Sequence, residues 1–225
     1  MRRLGLLAAV VILALLAVGG YTAAAGAAVY QDIDGGRQAL VSAQVSMKAA
    51  ARTGDPAELQ SAAAQLKVAE QHFSDARGRS ATDPALRLVS GIPAAGQQLD
   101  ASTHLAAIGA DMSRAGEGAA AVAIQVAGLK QKYAGRTITA DDLQAALQEA
   151  QAIARTYSAS IQAISQQLRA AHAERAQVDP TGLLGPLKNA YDAVDRALAE
   201  ADTSFRRYQD VRQVLSDFLG VRLPA

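Results

Sequence analysis

The chain has 225 residues, with 22 basic and 21 acidic side chains, no cysteine and no tryptophan. So even a balance leaves no electrostatic footprint for nucleic acid. The missing cysteines exclude disulfides, thiolate metal sites and thiol nucleophiles. Half of the residues are hydrophobic but only 4% are aromatic, and much of the apolar content is alanine, a strong helix former that fills a core poorly. Close-packed helices around a thin core are expected.

The first element begins at Leu4. From there to Gln31 the sequence carries no charge, and the only charges ahead of it are Arg2 and Arg3. About 20 apolar residues suffice to cross a bilayer as a helix. Two leading arginines place the N-terminus in the cytoplasm and the remainder outside it. The same stretch also fits a secretory signal peptide, with Leu4 to Val18 as the apolar run and Ala23-Ala24-Ala25 or Ala25-Gly26-Ala27 as the small-residue exit. The apolar character continues to Val29, longer than a signal needs, which favours an anchor. The expectation is therefore a single-pass cell-membrane protein held in the lipid bilayer by residues 4–29, the alternative being secretion after cleavage. Removing the two positive charges of Arg2 and Arg3 from the net of +1 leaves −1 for the external part.

About 195 residues follow, enough for one or two small domains. Val29, Ile33, Gly36, Leu40, Ala43, Met47 and Ala50 alternate by four and three, so the anchor helix is expected to continue into the first external helix, with Gly35-Gly36 as a kink or flexible neck. Thr53-Gly54 ends it. Asp55-Pro56-Ala57-Glu58 opens the next, with Asp55 as N-cap, Pro56 at the first helical position and Glu58 reaching back as in a capping box. Its seam is Leu59, Ala62, Leu66, Ala69, Phe73 and Ala76, ending near Gly78. Asp83-Pro84 starts a short helix closed by Gly91-Ile92-Pro93.

Leu105, Ile108, Met112, Ala115, Ala119, Val122, Val126, Leu129 and Tyr133 then hold an unbroken heptad alternation as far as Gly135. Thr139 caps the following helix, whose seam is Leu143, Leu147, Ala150, Ala154, Tyr157, Ile161, Ile164, Leu168 and Ala171. Asp179-Pro180-Thr181-Gly182 is the next break. The last helix carries Leu184, Leu187, Tyr191, Val194, Leu198, Ala201, Phe205 and Tyr208, shifting to Val211, Leu215 and Phe218.

No strand-like alternation occurs. The expected fold is all-α: residues 1–29 as transmembrane anchor or uncleaved signal, then residues 30–225 as an extracytoplasmic bundle. Its helices are expected at about 30–52, 56–78, 84–90, 94–134, 140–177 and 183–219. Short links between long helices force antiparallel neighbours, so the heptads read as an elongated antiparallel bundle with coiled-coil-like seams.

Chemistry is not visible in the pattern. His72, His104 and His172 fall on three helices, with no HExxH and no Glu-x-x-His spacing. Gly116-Glu117-Gly118 lies inside a heptad stretch instead of after a strand, so it reads as close helix packing or local softness rather than a dinucleotide loop. Asp192, Asp195 and Asp202 read as a solvated face. No nucleophile elbow, P-loop or kinase signature is present. No catalytic, cofactor-binding or metal-binding residue is assigned, no cofactor is expected, and the chain is not read as an enzyme. Protein partners or self-association through helical faces are the expected interactions.

One block resembles a known family. Asp83-Pro84-Ala85-Leu86-Arg87-Leu88 leading into Gly91-Ile92-Pro93-Ala94-Ala95-Gly96-Gln97-Gln98-Leu99 is similar to a recurrent Leu-Pro-x-x-Gly-x-x-Leu block in the bacterial domain-of-unknown-function 4012 family. The ending Val214-Leu215-Ser216-Asp217-Phe218-Leu219-Gly220 is similar to the junction before that family's α/β domain. Ile92 and Ala94-Ala95 depart from the bulkier residues of the pattern. The resemblance implies a membrane helix followed by an alanine-rich helical region, without the C-terminal α/β domain, and it transfers no activity. A membrane-anchored helical stalk or interaction module is the functional expectation, with an extracytoplasmic sensor or ligand-binding bundle as the alternative.

Overall fold

The computed structural model describes the backbone of residues 2–133 and 140–209; side-chain surroundings are described from Ala25 onward, apart from residue 51 and scattered positions over 126–157 and 204–209. All described elements are helices: α1 (Arg2–Thr53), α2 (Pro56–Thr82), α3 (Pro84–Ser90), α4 (Pro93–Tyr133), α5 (Ala140–Ala176) and α6 (Gly185–Gln209). Among the residues so described, no helix is long and apolar enough to cross a membrane. Residues 4–24, the greater part of the expected anchor, lie outside that set. So do seam positions Val126, Leu129, Tyr133, Leu143, Leu147, Ala150, Ala154, Tyr157, Tyr208, Val211, Leu215 and Phe218, the Gly135 stop, the Thr139 cap and the Val214–Gly220 block.

Local chemistry sets the helix boundaries. Gly54 ends α1 at φ +70°, a left-handed conformation open to glycine, and its N–H donates to the Ala50 carbonyl at 2.7 Å. Asp55 then caps α2 by accepting from the Ala57 N–H at 2.9 Å. The capping box is not formed as expected. The Asp55 N–H donates to Thr53 Oγ1 at 3.2 Å, so the donor that Glu58 was to satisfy is taken from the other side. Helix α2 runs four residues beyond the expected stop at Gly78. One helical glycine costs about 1 kcal/mol, too little to end a helix that buries Ser80 and reaches a better terminus at Asp83. Asp83 both closes α2 and caps α3, accepting from Ala85 N–H at 2.8 Å.

Helix α4 is the centre of the molecule. It packs against α2 on one side and α5 on the other, while α1 lies on α2 and α6 rests on α4 and α5. Its residues from Leu105 to Asp111 are all buried, which explains a departure from the expected single seam: Ala106 and Ala110 face α1 and α2, Leu105 and Ile108 face α5 and α6. Further along, Ala119 is exposed and Ala120 buried. A helix of 3.6 residues per turn drifts away from a strict seven-residue repeat unless it supercoils.

Neighbouring long helices run antiparallel. Phe73 of α2 shares a cluster with Ala39 of α1 and Ala110 of α4, while nearer the end of α2 Ala76 meets Val29 and Ala106. Ala101, Ile108, Ala171 and Val178 join α4 to α5, and Tyr191 and Leu198 bring in α6. Leu184 does not belong to this seam. It precedes α6 and is 65% exposed, because the turn through Gly182 (φ +83°) delays the helix start to Gly185.

The paired glycines of α1 are not a neck. The helix is continuous through them, and a Cβ on Gly36 would lie 2.8 Å from the Phe73 ring. A Cβ on Gly109 of α4 would lie 2.7 Å from the same ring. Phe73 is therefore held between two helices at positions that only glycine leaves open. Gly116 and Gly118 serve close packing as well, against Leu66 and Ile164.

Candidate functional site

The polar groups with long-range partners lie at helix junctions. Between α1 and α2, Asp32 meets Arg79 Nε at 2.8 Å and His72 Nδ1 at 3.9 Å. The Arg79 contact is close but not in line, so the buried Asp32 Oδ2 receives no directed hydrogen bond. Between α2 and α4, Arg114 donates to Glu70 at 2.8 Å and to Asp111 on its own helix at 3.0 Å. Between α4 and α5, His104 Nδ1 is 2.6 Å from Glu174 Oε2, with Arg77 of α2 3.7 Å from the other oxygen. Between α5 and α6, His172 Nε2 lies 2.9 Å from Asp202, and Arg175 bridges to Asp195 while stacking over the Tyr191 ring at 4.5 Å.

Every histidine of the chain thus faces a carboxylate on a neighbouring helix. The sequence places them on helix flanks without revealing these partners, because each carboxylate lies 30 to 70 positions away along the chain. Asp192, Asp195 and Asp202 are likewise separated by their partners Lys188, Arg175 and His172, and do not form a carboxylate pair. The exposed pairs among them are each worth under about 1 kcal/mol.

Two carboxyls sit in less favourable surroundings. Burial between α4 and its neighbours pushes Asp111 above its ordinary value, the Glu174 charge adds to this, and Arg114 and Arg77 oppose it. Burial and the nearby Glu70 charge raise Glu117 in the same way. Among the described residues, no three metal-ligating side chains converge.

Open space is found in two clefts, the first mostly apolar and the second mixed. A cleft of about 350 Å³ is lined by Gly26, Val29, Leu86, Val89, Leu99 and their neighbours, where α3 and the start of α4 lie beside α1. A second, of about 310 Å³, lies between Pro93, Gln97, Asp100 and Ala101 of α4 and Gln177 to Asp179 after α5. Both are at the end of the bundle from which the first part of α1 projects.

That end contains the block quoted above for its resemblance. Pro93 occupies the first position of α4, where a missing N–H costs nothing. Gly96 is buried against the end of α3, where a Cβ would lie 2.5 Å from the Ser90 carbonyl oxygen. Gln97 and Gln98 tie α4 to the turn before α6, donating to the carbonyls of Thr181 at 2.6 Å and Gly182 at 3.0 Å; Gln98 Oε1 also accepts from the Leu184 N–H at 3.0 Å. Asp179 organises the same turn, and the Thr181 N–H holds its carboxyl below the ordinary value. No protein-family model, curated protein or solved structure matches the chain.

Proposed function

We propose that the protein is a membrane-anchored, extracytoplasmic helical stalk or interaction module, held in the bilayer by residues 4–29 and working by position instead of by catalysis. The observation that carries this reading is the continuity of α1. The helix that begins in the charge-free stretch runs to Thr53, and its Val29–Ala50 portion is packed into the bundle through Val29, Ala39, Ala43 and Ala50. A rigid helix shared between a lipid segment and a bundle fixes where the bundle stands relative to the membrane. The resemblance to the anchor and helical region of the domain-of-unknown-function 4012 family supports the same assignment. Among the described residues, His104 of α4 is bonded to Glu174 of α5, which favours helix packing over ligand binding at that point.

Alkaline phosphatase fused after Ala225 tests the topology. Activity in whole cells, with the fusion retained in membranes after alkaline carbonate washing, is the expected result. An inactive fusion removes the external placement. An active fusion released by the wash, with an N-terminus near Gly26, identifies a cleaved signal.

A further inference from the structure

Two charge-poor turns are bound together at the end of the bundle next to the expected anchor. The first runs from Pro84 to Leu99 and contains one charge, Arg87; the second, Pro180 to Tyr191, contains only Lys188. Acidic residues stand at their edges, Asp83 and Asp100 beside the first, Asp179 and Asp192 beside the second. The hydrogen bonds of Gln97 and Gln98 join them into one unit. This unit exposes large apolar side chains: Leu88 is 69% exposed, Ile92 57% and Leu184 65%. Both basic groups fold away from its tip, Arg87 Nε donating to the Ala81 carbonyl at 3.1 Å and Lys188 Nζ to Asp192 at 2.6 Å.

The pairing of the helices gives this unit a height. Phe73 is level with Gly36 and Gly109, and Ala101 is clustered with Val178. Counting along the antiparallel helices, Asp83, Asp100 and Asp179 then fall at nearly one level. At 1.5 Å per residue, the stretch of α4 before Asp100 extends about 10 Å past that level. Apolar faces of interfacial proteins are buried roughly 5–10 Å into the headgroup and acyl boundary, with basic residues beside them. On the α1 side, the about 350 Å³ cleft opens between this unit and Gly26 and Val29, near the end of the charge-free stretch.

We infer that the α3–α4 turn and the α5–α6 turn form a lipid-facing foot that inserts Leu88, Ile92 and Leu184 into the outer leaflet beside the anchor, with acyl chains filling the cleft against Gly26 and Val29. The inference rests on the membrane-anchored reading, and lipid is the occupant it commits to. The unit lies beside a segment read as lying in lipid, and its exposed groups Leu88, Ile92 and Leu184 are aliphatic. A bundle held both by one helix and by this foot has a fixed tilt at the membrane, which a single anchor helix does not provide.

The absence of native cysteine permits single-site labels. The full-length variants Leu88→Cys, Ile92→Cys and Leu184→Cys each carry an environment-sensitive fluorophore, as does Val45→Cys, 61% exposed on the bundle part of α1. They are reconstituted in phosphatidylcholine–phosphatidylglycerol vesicles with shallow-brominated lipid. The three foot labels are expected to be quenched at least roughly twofold more than the Val45 label. If the protein floats with the vesicles after alkaline washing but the foot labels are quenched no more than Val45, the foot is refuted and the anchor stands. Labels shielded from aqueous iodide yet insensitive to brominated lipid identify a second protein copy as the occupant and overturn the proposal. A protein that does not float removes the anchor reading, and the foot with it.

Discussion

The two sides of α4 hold their neighbours by different means. Toward α1 and α2 the buried residues are mostly small, among them Ala39, Ala43, Ala62, Ala69, Ala76, Ala106 and Ala110, with Val29, Leu66, Phe73 and, from α3, Leu86 as larger exceptions. Toward α5 and α6 the core is built from Leu105, Ile108, Ile164, Leu168, Tyr191 and Leu198. Small residues let helix backbones approach closely and gain stability from many weak contacts, but they leave room for a ring only where glycine replaces alanine. Large aliphatic residues remove more area from water per position and keep the helices further apart. One helix can serve both partners because opposite faces of its 3.6-residue turn carry different side-chain sizes.

This difference is most strongly tested by truncating a large buried group on each side. Phe73→Ala should cost about 3–5 kcal/mol and Ile108→Ala about 2–5 kcal/mol in urea unfolding followed by circular dichroism. Leu105→Ala and Leu168→Ala belong with the latter. Ile161, only half-buried, should cost clearly less. If Phe73→Ala is much milder than Ile108→Ala, the small-residue side does not depend on its ring and the contrast fails.

Enlarging a glycine probes the close approach from the other direction. Gly109→Ala puts a methyl 2.7 Å from the Phe73 ring and should destabilise by about 1–3 kcal/mol despite the better helix propensity. Gly78→Ala meets nothing within 4 Å and should stabilise by about 0.5–1 kcal/mol. Opposite signs in a thermal melt are the expected result. Equal signs would show that propensity, not the Phe73 contact, governs both positions.

The smallest effect concerns Asp111. Its raised pKa means that the folded protein binds the proton more tightly than the unfolded chain, so this group favours folding at low pH and the benefit is lost as pH rises through the folded value. Asp111→Asn should therefore raise stability at neutral pH by under about 1 kcal/mol. The two proteins should melt together below pH 3.8, the ordinary value. A variant less stable at neutral pH would show that the Arg114 contact outweighs the burial cost.

How much of this was readable in advance follows from sequence distance. Asp55-Pro56, Asp83-Pro84 and Asp179 mark helix starts and a turn because capping is satisfied within a few residues. The α2 seam was readable because Leu66 and Phe73 stand out among alanines. The second face of α4 was not, since alanine is equally compatible with a buried or exposed helix surface. Leu184 was misplaced because periodicity does not sense the left-handed Gly182 that delays α6. The histidine–carboxylate pairs were invisible because their partners come from other helices.

By itself, the sequence determined the helical class, the Asp55 and Asp83 caps, the order of the helices and the charge-free start, all of which depend on local propensity and short-range hydrogen bonding. Only the tertiary structure decided that α4 is central, that Gly36 and Gly109 both abut Phe73, and that Gln97 and Gln98 join two apolar turns near Gly26 and Val29 of α1. Each of these depends on which residues, distant along the chain, come within a few ångströms, and no local pattern encodes that.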